Sequence, residues 1–286
     1  MRGYVDDVTD SDPAPGGGSE PGAKLTAAGR VLALLGAFAR GGGSLTLSEI
    51  SRYAGLSLTT AHRLAKEVLE WGGLEIDDSG HYRLSQKFLD LASHSTRALH
   101  LRETALPHLV DLHRLTGLTV QLAIRDGDDV LYLEALRPHS NYSGENRIGG
   151  RLKLHVTAIG LVLLAYSDEE VIADYLTRPL KRYTPHTLAD PASIRAFMDQ
   201  VRKNRYAVGM QSISLGAGAV AAPIFNDDGS VTTAITTVFL IGRDDPAKII
   251  DPVRATASRI SHALADKKSA PHPRTVDFNR RHAGLL

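Results

Sequence analysis

The chain has no cysteine among its 286 residues, which excludes disulfides, thiolate nucleophiles and cysteine-bound zinc. It also lacks any apolar run approaching the roughly 20 residues needed to span a bilayer. The N-terminus opens acidic and polar, without the apolar core of a secretory signal. An excess of charge of either sign is missing too, since the formal net charge is +1. Contact with a polyanion therefore has to come from local placement of charge rather than from bulk. A cytoplasmic protein with no membrane partner is the expectation. What is present is length for about two domains and 43% hydrophobic residues to fill them.

The charge is unevenly spread. Residues 1–22 set Arg2 against Asp6, Asp7, Asp10, Asp12 and Glu20, among glycine, proline and serine. So little apolar surface cannot offset the entropy of ordering, and a disordered tail is expected there. Residues 269–286 read as a basic tail that includes Arg274, Arg280 and Arg281.

Helical periodicity begins at Thr26, an N-cap, with Val31, Leu34, Leu35 and Phe38 on one face and Gly41-Gly42-Gly43 as the stop. Thr46 or Ser48 can cap a second helix, Gly55 supplies a turn, and Ser57 or Thr59 starts a third. That third helix buries Ala61, Leu64, Ala65 and Val68. Leu74, Ile76, Tyr82 and Leu84 flank an Asp78-Ser79-Gly80 turn, the pattern of a β-hairpin. Three helices and a hairpin over residues 23–85 have the layout of a winged helix-turn-helix. An amphipathic linker helix is expected over 86–100. Residues 101–268 mix helices with strands near 119–125, 130–136, 206–210, 217–225 and 231–239, which suggests one α+β domain with an antiparallel sheet. Ser167-Asp168-Glu169-Glu170 fits a capping box, and Asp190-Pro191 an N-cap with proline at the first helical position.

The third helix points to double-stranded DNA. Thr59, His62, Arg63 and Lys66 recur on the face opposite its apolar stripe, where a recognition helix offers donors to a groove. Arg63 suits a guanine bidentately, and the hydroxyls of Thr59 and Thr60 suit base edges or phosphates. Ser57 and the first backbone N–H groups suit a phosphate. His81 and Arg83, placed at the hairpin tip, can reach a backbone or minor groove.

The segments L-T-L-S-E-I-S-R-Y-A-G-L-S-L-T-T-A-H-R-L and Y-R-L-S resemble the IclR family of bacterial transcription regulators. The similarity runs on through L-R-E-T-A-L-P-H-L, T-G-L-T-V-Q-L-A, L-H-V-T-A-I-G, Y-T-P-H-T-L-A-D and A-V-A-A-P-I-F-N-D-D-G, covering about residues 25–265. The resemblance implies a winged helix-turn-helix, a linker helix and a C-terminal GAF/PAS-like effector-binding domain. It also implies a homodimer or homotetramer on an inverted-repeat operator, with a small organic acid as effector. On that pattern the acid meets the backbone donors of Ala158 and Ile159 at a helix N-terminus, where N–H groups and the dipole favour a carboxylate. Gly209, Ala219, Thr236 and Val238 map onto other pocket positions, with Leu152 on the wall. The family often has an acid where Gly209 stands and a serine where Val238 stands. The pocket is thus expected to be less polar, with Thr236 as its main hydroxyl and an aromatic or alkyl acid as ligand.

Other signals are weaker. The helical histidines, His94, His100, His108 and His113, lack metal-ligand spacing, and His155 is expected to hold a loop. Gly216-Ala217-Gly218-Ala219 precedes a strand, whereas a dinucleotide fingerprint precedes a helix. No G-x-S-x-G elbow occurs. No cofactor, metal or catalytic residue is expected. A ligand sensor acting through protein partners is the alternative, and an enzyme on small acids a more distant one.

Overall fold

In the computed structural model, which describes residues 25–93, 96–138 and 148–265, the chain divides into two units between Thr96 and Arg97. The two expected tails and His94 lie outside the described residues.

In the first unit, Thr26 accepts from the Gly29 N–H and opens α1 (Ala27–Arg40). Strand β1 (Ser44–Leu45) follows. Thr46 and Glu49 then form a full capping box at the start of α2 (Leu47–Ala54). The turn out of α2 needs the left-handed conformation, φ 64°, which glycine adopts at Gly55 without a Cβ clash. The Leu56 N–H returns to the Ser51 carbonyl at 3.0 Å. Ser51 Oγ donates to the Leu56 carbonyl at 2.6 Å. Ser57 then caps α3 (Leu58–Glu70). Leu34, Ala37 and Phe38 pack with Ile50, Ala61, Leu64, Ala65, Val68 and Leu74 in one core.

The hairpin is β2 (Leu74–Ile76) and β3 (Tyr82–Leu84), with β1 added outside β3 to give the order β1-β3-β2. A two-residue strand carries no readable period, so β1 was not visible in the sequence. Asp77 closes the turn by accepting from the Ser79 and His81 N–H groups, each at 3.0 Å. The His81 amide bond is the first cause that holds the Asp77 carboxyl below its ordinary range. The expected linker segment is described as α4 (Lys87–Ser93) and the start of α5 (Thr96–Thr116), which has Pro107 inside it. Lys87 ties α4 to the first unit, donating to the Trp71 carbonyl at 2.6 Å.

The second unit is built on a six-stranded antiparallel sheet of order β6-β5-β4-β9-β8-β7. Its strands are β4 (Thr119–Asp126), β5 (Asp129–Leu136), β6 (Arg151–Lys153), β7 (Ala207–Met210), β8 (Ala217–Ile224) and β9 (Thr233–Leu240). Helices α6 (Ala158–Ala165), α7 (Glu169–Thr177) and α8 (Pro191–Asn204) cover one face. Helices α5 and α9 (Ala247–Ala265) cover the other. Every residue of α6 is buried, which is what a helix apolar all round requires. A Cβ on Gly160 would stand 2.3 Å from the Leu154 carbonyl oxygen, so the entry to α6 admits glycine alone. Asp190 caps α8 with proline at its start, as expected.

The capping box expected at α7 does not form. Asp168 is the N-cap but makes no side-chain cap bond, and Ser167 Oγ donates backward to the Leu163 carbonyl, 2.9 Å away. Serine just after a helix has the preceding turn within reach, and here that partner wins.

Candidate functional site

The outward face of α3 carries Thr59, His62, Arg63 and Lys66, all exposed, opposite a buried Ala61/Leu64/Ala65/Val68 stripe. The expected division of this helix into an anchored and an offered face is therefore present. Both cations are paired along the helix. Arg63 Nη1 lies 2.5 Å from Glu67 Oε1, and Lys66 Nζ lies 3.8 Å from Glu70 Oε1. At the helix start, Ser57 Oγ accepts from the Thr60 N–H at 3.3 Å and shares a 2.8 Å hydroxyl contact with Thr60. Neither wing residue stands at the tip. His81 closes the base of the turn with Asp77, and Arg83 lies mid-strand between Ser44 and Glu75. The tip belongs to Asp78-Ser79-Gly80, because Asp77 gathers the amides on both sides of it.

In the second unit a cavity of about 110 Å³ lies between the sheet and the N-terminus of α6. Ala158, Ile159, Gly209, Ala219, Thr236 and Val238 line it together, bringing residues of β7, β8, β9 and α6 to one place. Thr157 caps α6 by accepting from the Gly160 N–H at 2.9 Å. The first N–H groups of a helix have no partner within it, so those of Ala158 and Ile159 are the donors an acid can use. A Cβ on Gly209 would sit 3.2 Å from Ala158 Cβ and 3.6 Å from its nitrogen. The absent side chain is what leaves the helix end open.

Two expectations change. Leu152 does not line the cavity. It lies on β6, the sheet edge remote from β7, paired with Val130 inside the aliphatic core. Thr236 Oγ1 donates to the Val220 carbonyl at 3.0 Å, so its hydrogen is committed within the sheet. It offers a lone pair to the cavity, whereas a carboxylate needs donors.

The sequence reading missed Gln121 and Tyr132 on the sheet and the loop of Gln211, Ser212, Ile213 and Ser214 that closes the other side. The Y-T-P-H-T-L segment holds that loop. Thr184 and Thr187 hydroxyls donate to the carbonyls of Gln211 and Ser212 at 2.5 and 2.7 Å. Gln211 bends the loop with φ 56°. Tyr132 is buried, which pushes its hydroxyl pKa well above the ordinary value and keeps it neutral.

His155 stands just before α6, buried, with Nδ1 2.7 Å from the Tyr175 hydroxyl and Nε2 3.0 Å from the Lys181 carbonyl. The carbonyl can only accept, so Nε2 carries the hydrogen and Nδ1 accepts from Tyr175. The ring holds a loop, as expected. Among the described residues no three His, Asp or Glu side chains form a metal-binding group, and no helix is long and apolar enough to cross a membrane.

A larger cleft of about 570 Å³ opens beside the β8–β9 turn and α9, with Arg205, Arg254 and His262 on its rim. Two of its polar groups have internal partners: Arg254 pairs with Asp251 at 3.5 Å, and His262 Nδ1 lies 2.7 Å from the Ser258 carbonyl. The smaller cavity is the better ligand site, since buried donors converge there.

The family model described as "IclR helix-turn-helix domain" matches residues 27–78, and "Bacterial transcriptional regulator IclR C-terminal" matches residues 93–262. The chain belongs to the IclR family of bacterial transcriptional regulators and is a DNA-binding regulator of transcription. It is 31% identical over 222 residues to the HTH-type transcriptional regulator XynR of Escherichia coli (strain K12), covering 77% of this chain and 88% of that one. It is 29% identical to the p-hydroxybenzoate hydroxylase transcriptional activator of Acinetobacter baylyi, covering 82% and 89%. The crystal structure of an IclR homolog complexed with 4-hydroxybenzoate, from Microbacterium hydrocarbonoxydans, superposes with a TM-score of 0.77 at 32% identity, covering 82% of this chain and 97% of that one.

Proposed function

We propose that this regulator is a homodimer or homotetramer whose affinity for an inverted-repeat operator responds to a small aromatic carboxylic acid bound at the N-terminus of α6. The observation that carries the effector half is the placement of the Ala158 and Ile159 amides at the end of a mostly apolar cavity. Such a site satisfies a carboxylate through N–H groups and the helix dipole, and a ring through the aliphatic wall. The relatives associated by name with 4-hydroxybenzoate support this ligand class. In the DNA half, Thr59, His62, Arg63 and Lys66 meet the major groove, Ser57 and Thr60 sit at a phosphate, and Arg83 reaches the flanking backbone with His81 beside it. The cavity lining has no carboxylate, histidine or lysine, which favours ligand sensing over proton-transfer chemistry.

Ala158→Pro tests the effector site directly. Ala158 is the first residue of α6, where proline is tolerated, and Thr157 before it is already extended at φ −122°, ψ 145°. The variant loses one amide donor and places the proline ring where the acid would sit. Calorimetry should show benzoate and 4-hydroxybenzoate binding the parent protein but not the variant, with unfolding temperature little changed. Unaltered binding to a folded variant rejects the site.

A further inference from the structure

Gln121 lies on β4 with its side chain in the apolar interior, 1% exposed. Its Nε2 atom is fully buried and has no hydrogen-bond partner, and the residue lines the cavity. A buried amide donor without a partner is costly, and such groups concentrate where a ligand completes them. The sheet register fixes where the group stands. Gln121 is opposite Thr236 on β9, Thr236 opposite Ala221 on β8, and Ala221 opposite Ala207 on β7. The α6 amides lie over Gly209, on β7. Gln121 and the carboxylate donors therefore occupy opposite ends of the cavity, three strand spacings apart across the sheet, or about 14 Å from the Gln121 to the Ala207 backbone, with Gly209 two residues further along β7. The Gln121 side chain reaches in from one end, which leaves about the length of one ring bearing a polar group at each pole. Between them the floor is Thr236, Val238 and Ala219.

We propose that Gln121 is a specificity-determining residue. Its side-chain amide hydrogen-bonds a hydroxyl at the end of the ligand away from the carboxylate, which narrows the effector class to hydroxy-substituted aromatic acids. This rests on the effector reading of the cavity and adds a second anchor to it. A hydroxyl both donates and accepts, so it answers either orientation of the amide. A ligand hydroxyl forms with the buried amide the bond that no protein group supplies. An isosteric methyl cannot replace it.

The experiment compares 4-hydroxybenzoate with 4-methylbenzoate by calorimetry on the full chain, with benzoate as the acid common to both. The parent protein should favour the hydroxy acid about tenfold to hundredfold, the range set by an unsatisfied buried donor. Gln121→Leu should bring the ratio towards one. Gln121→Met, of similar length and without an amide, serves if the leucine variant does not fold. The ratio is read within each protein, so a general loss of affinity does not disturb it. If the parent binds both acids equally, or prefers the methyl acid, the assignment to Gln121 fails while the effector site stands. A ratio that survives in the folded variant overturns it equally. If none of the three acids binds, the effector reading falls and takes this inference with it.

Discussion

Arg63 holds Glu67 one helical turn away on the exposed face of α3, guanidinium to carboxylate at 2.5 Å. Side chains 60% and 54% exposed make this a weak contributor to stability, on the order of 0.3–0.5 kcal/mol. Its bearing is on DNA. With Arg63 in the major groove as proposed, the carboxylate would compete with guanine for the guanidinium and repel the phosphates around it. Glu67→Gln should therefore raise affinity for duplex DNA several-fold and weaken discrimination between sequences. Arg63→Ala should lower affinity for an operator selected from random duplexes by roughly 1–3 kcal/mol and relax preference at one base pair. Fluorescence anisotropy over single-base operator variants reads both. An equal loss on every sequence would instead make Arg63 a phosphate contact.

A β-bulge sets up the second prediction. Ala123 pairs with Tyr132 and Leu122 with Glu134, leaving Leu133 as the extra residue. The slip reverses the phase of β5. Val130 and Tyr132 face the α6 side, whereas Glu134 is opposite Leu122 on the α5 side. There Arg102 of α5 meets Glu134 at 2.7 Å, the carboxylate 6% and the guanidinium 39% exposed. Arg102→Met should strand a buried charge and cost about 3 kcal/mol, the lower end of the range because Arg102 is partly solvated. Adding Glu134→Leu should recover most of that loss. Urea midpoints across the double-mutant cycle test the coupling, and additive effects would show that the pair contributes nothing.

What could be read from the sequence and what could not divide by the range of the interaction. The Ala61/Leu64/Ala65/Val68 stripe, the Thr46 and Asp190 caps and the Gly55 turn are local in sequence, and each is in place. The cavity was half legible. The α6 amides and the β7–β9 floor were found because the family pattern marks them. Gln121 was missed, although T-V-Q-L-A puts a glutamine in the inward phase of an apolar strand, a signal that was available. Leu152 failed for a non-local reason, because only the strand order reveals that β6 is the edge remote from β7. The loop over Gln211–Ser214 could not be read at all, since its shape depends on Thr184 and Thr187 from another segment.

His155 predicts an acid-side loss of stability. Burial, the largest influence, lowers its pKa from the ordinary 6.5, against the Lys181 carbonyl bond, which raises it, and with Lys153 lowering it further. With the folded pKa below the unfolded one, the unfolded chain takes up more protons as pH falls through 6.5. The His155 contribution is therefore present above pH 6.5 and declines from there towards the lower folded value. Denaturant midpoints from pH 7.5 to 5.5 should fall more steeply for the parent protein than for His155→Gln. Parallel slopes would remove His155 as the cause.

On the effector site proposed for this cavity, Gly209 should set the size of acid it accepts. The backbone there is not in the left-handed region, so a side chain brings no conformational strain of its own. Gly209→Ala would place its methyl 3.2 Å from Ala158 Cβ, a tight but methyl-to-methyl contact, and take volume from a cavity of about 110 Å³. Affinity for benzoate should fall by about tenfold or more, the scale of one misplaced methyl group in a filled site, while acetate, which leaves room, should be little affected. Gly209→Asp should go further, since its carboxylate would lie beside the Ala158 amide and occupy the donors itself. That variant should bind neither acid, yet should unfold at a higher temperature than Gly209→Ala if the new carboxylate caps α6. Calorimetry with the two acids and a thermal melt separate these outcomes. If the alanine variant binds benzoate as well as the parent does, the carboxylate does not sit over β7 and the ligand lies elsewhere in the unit.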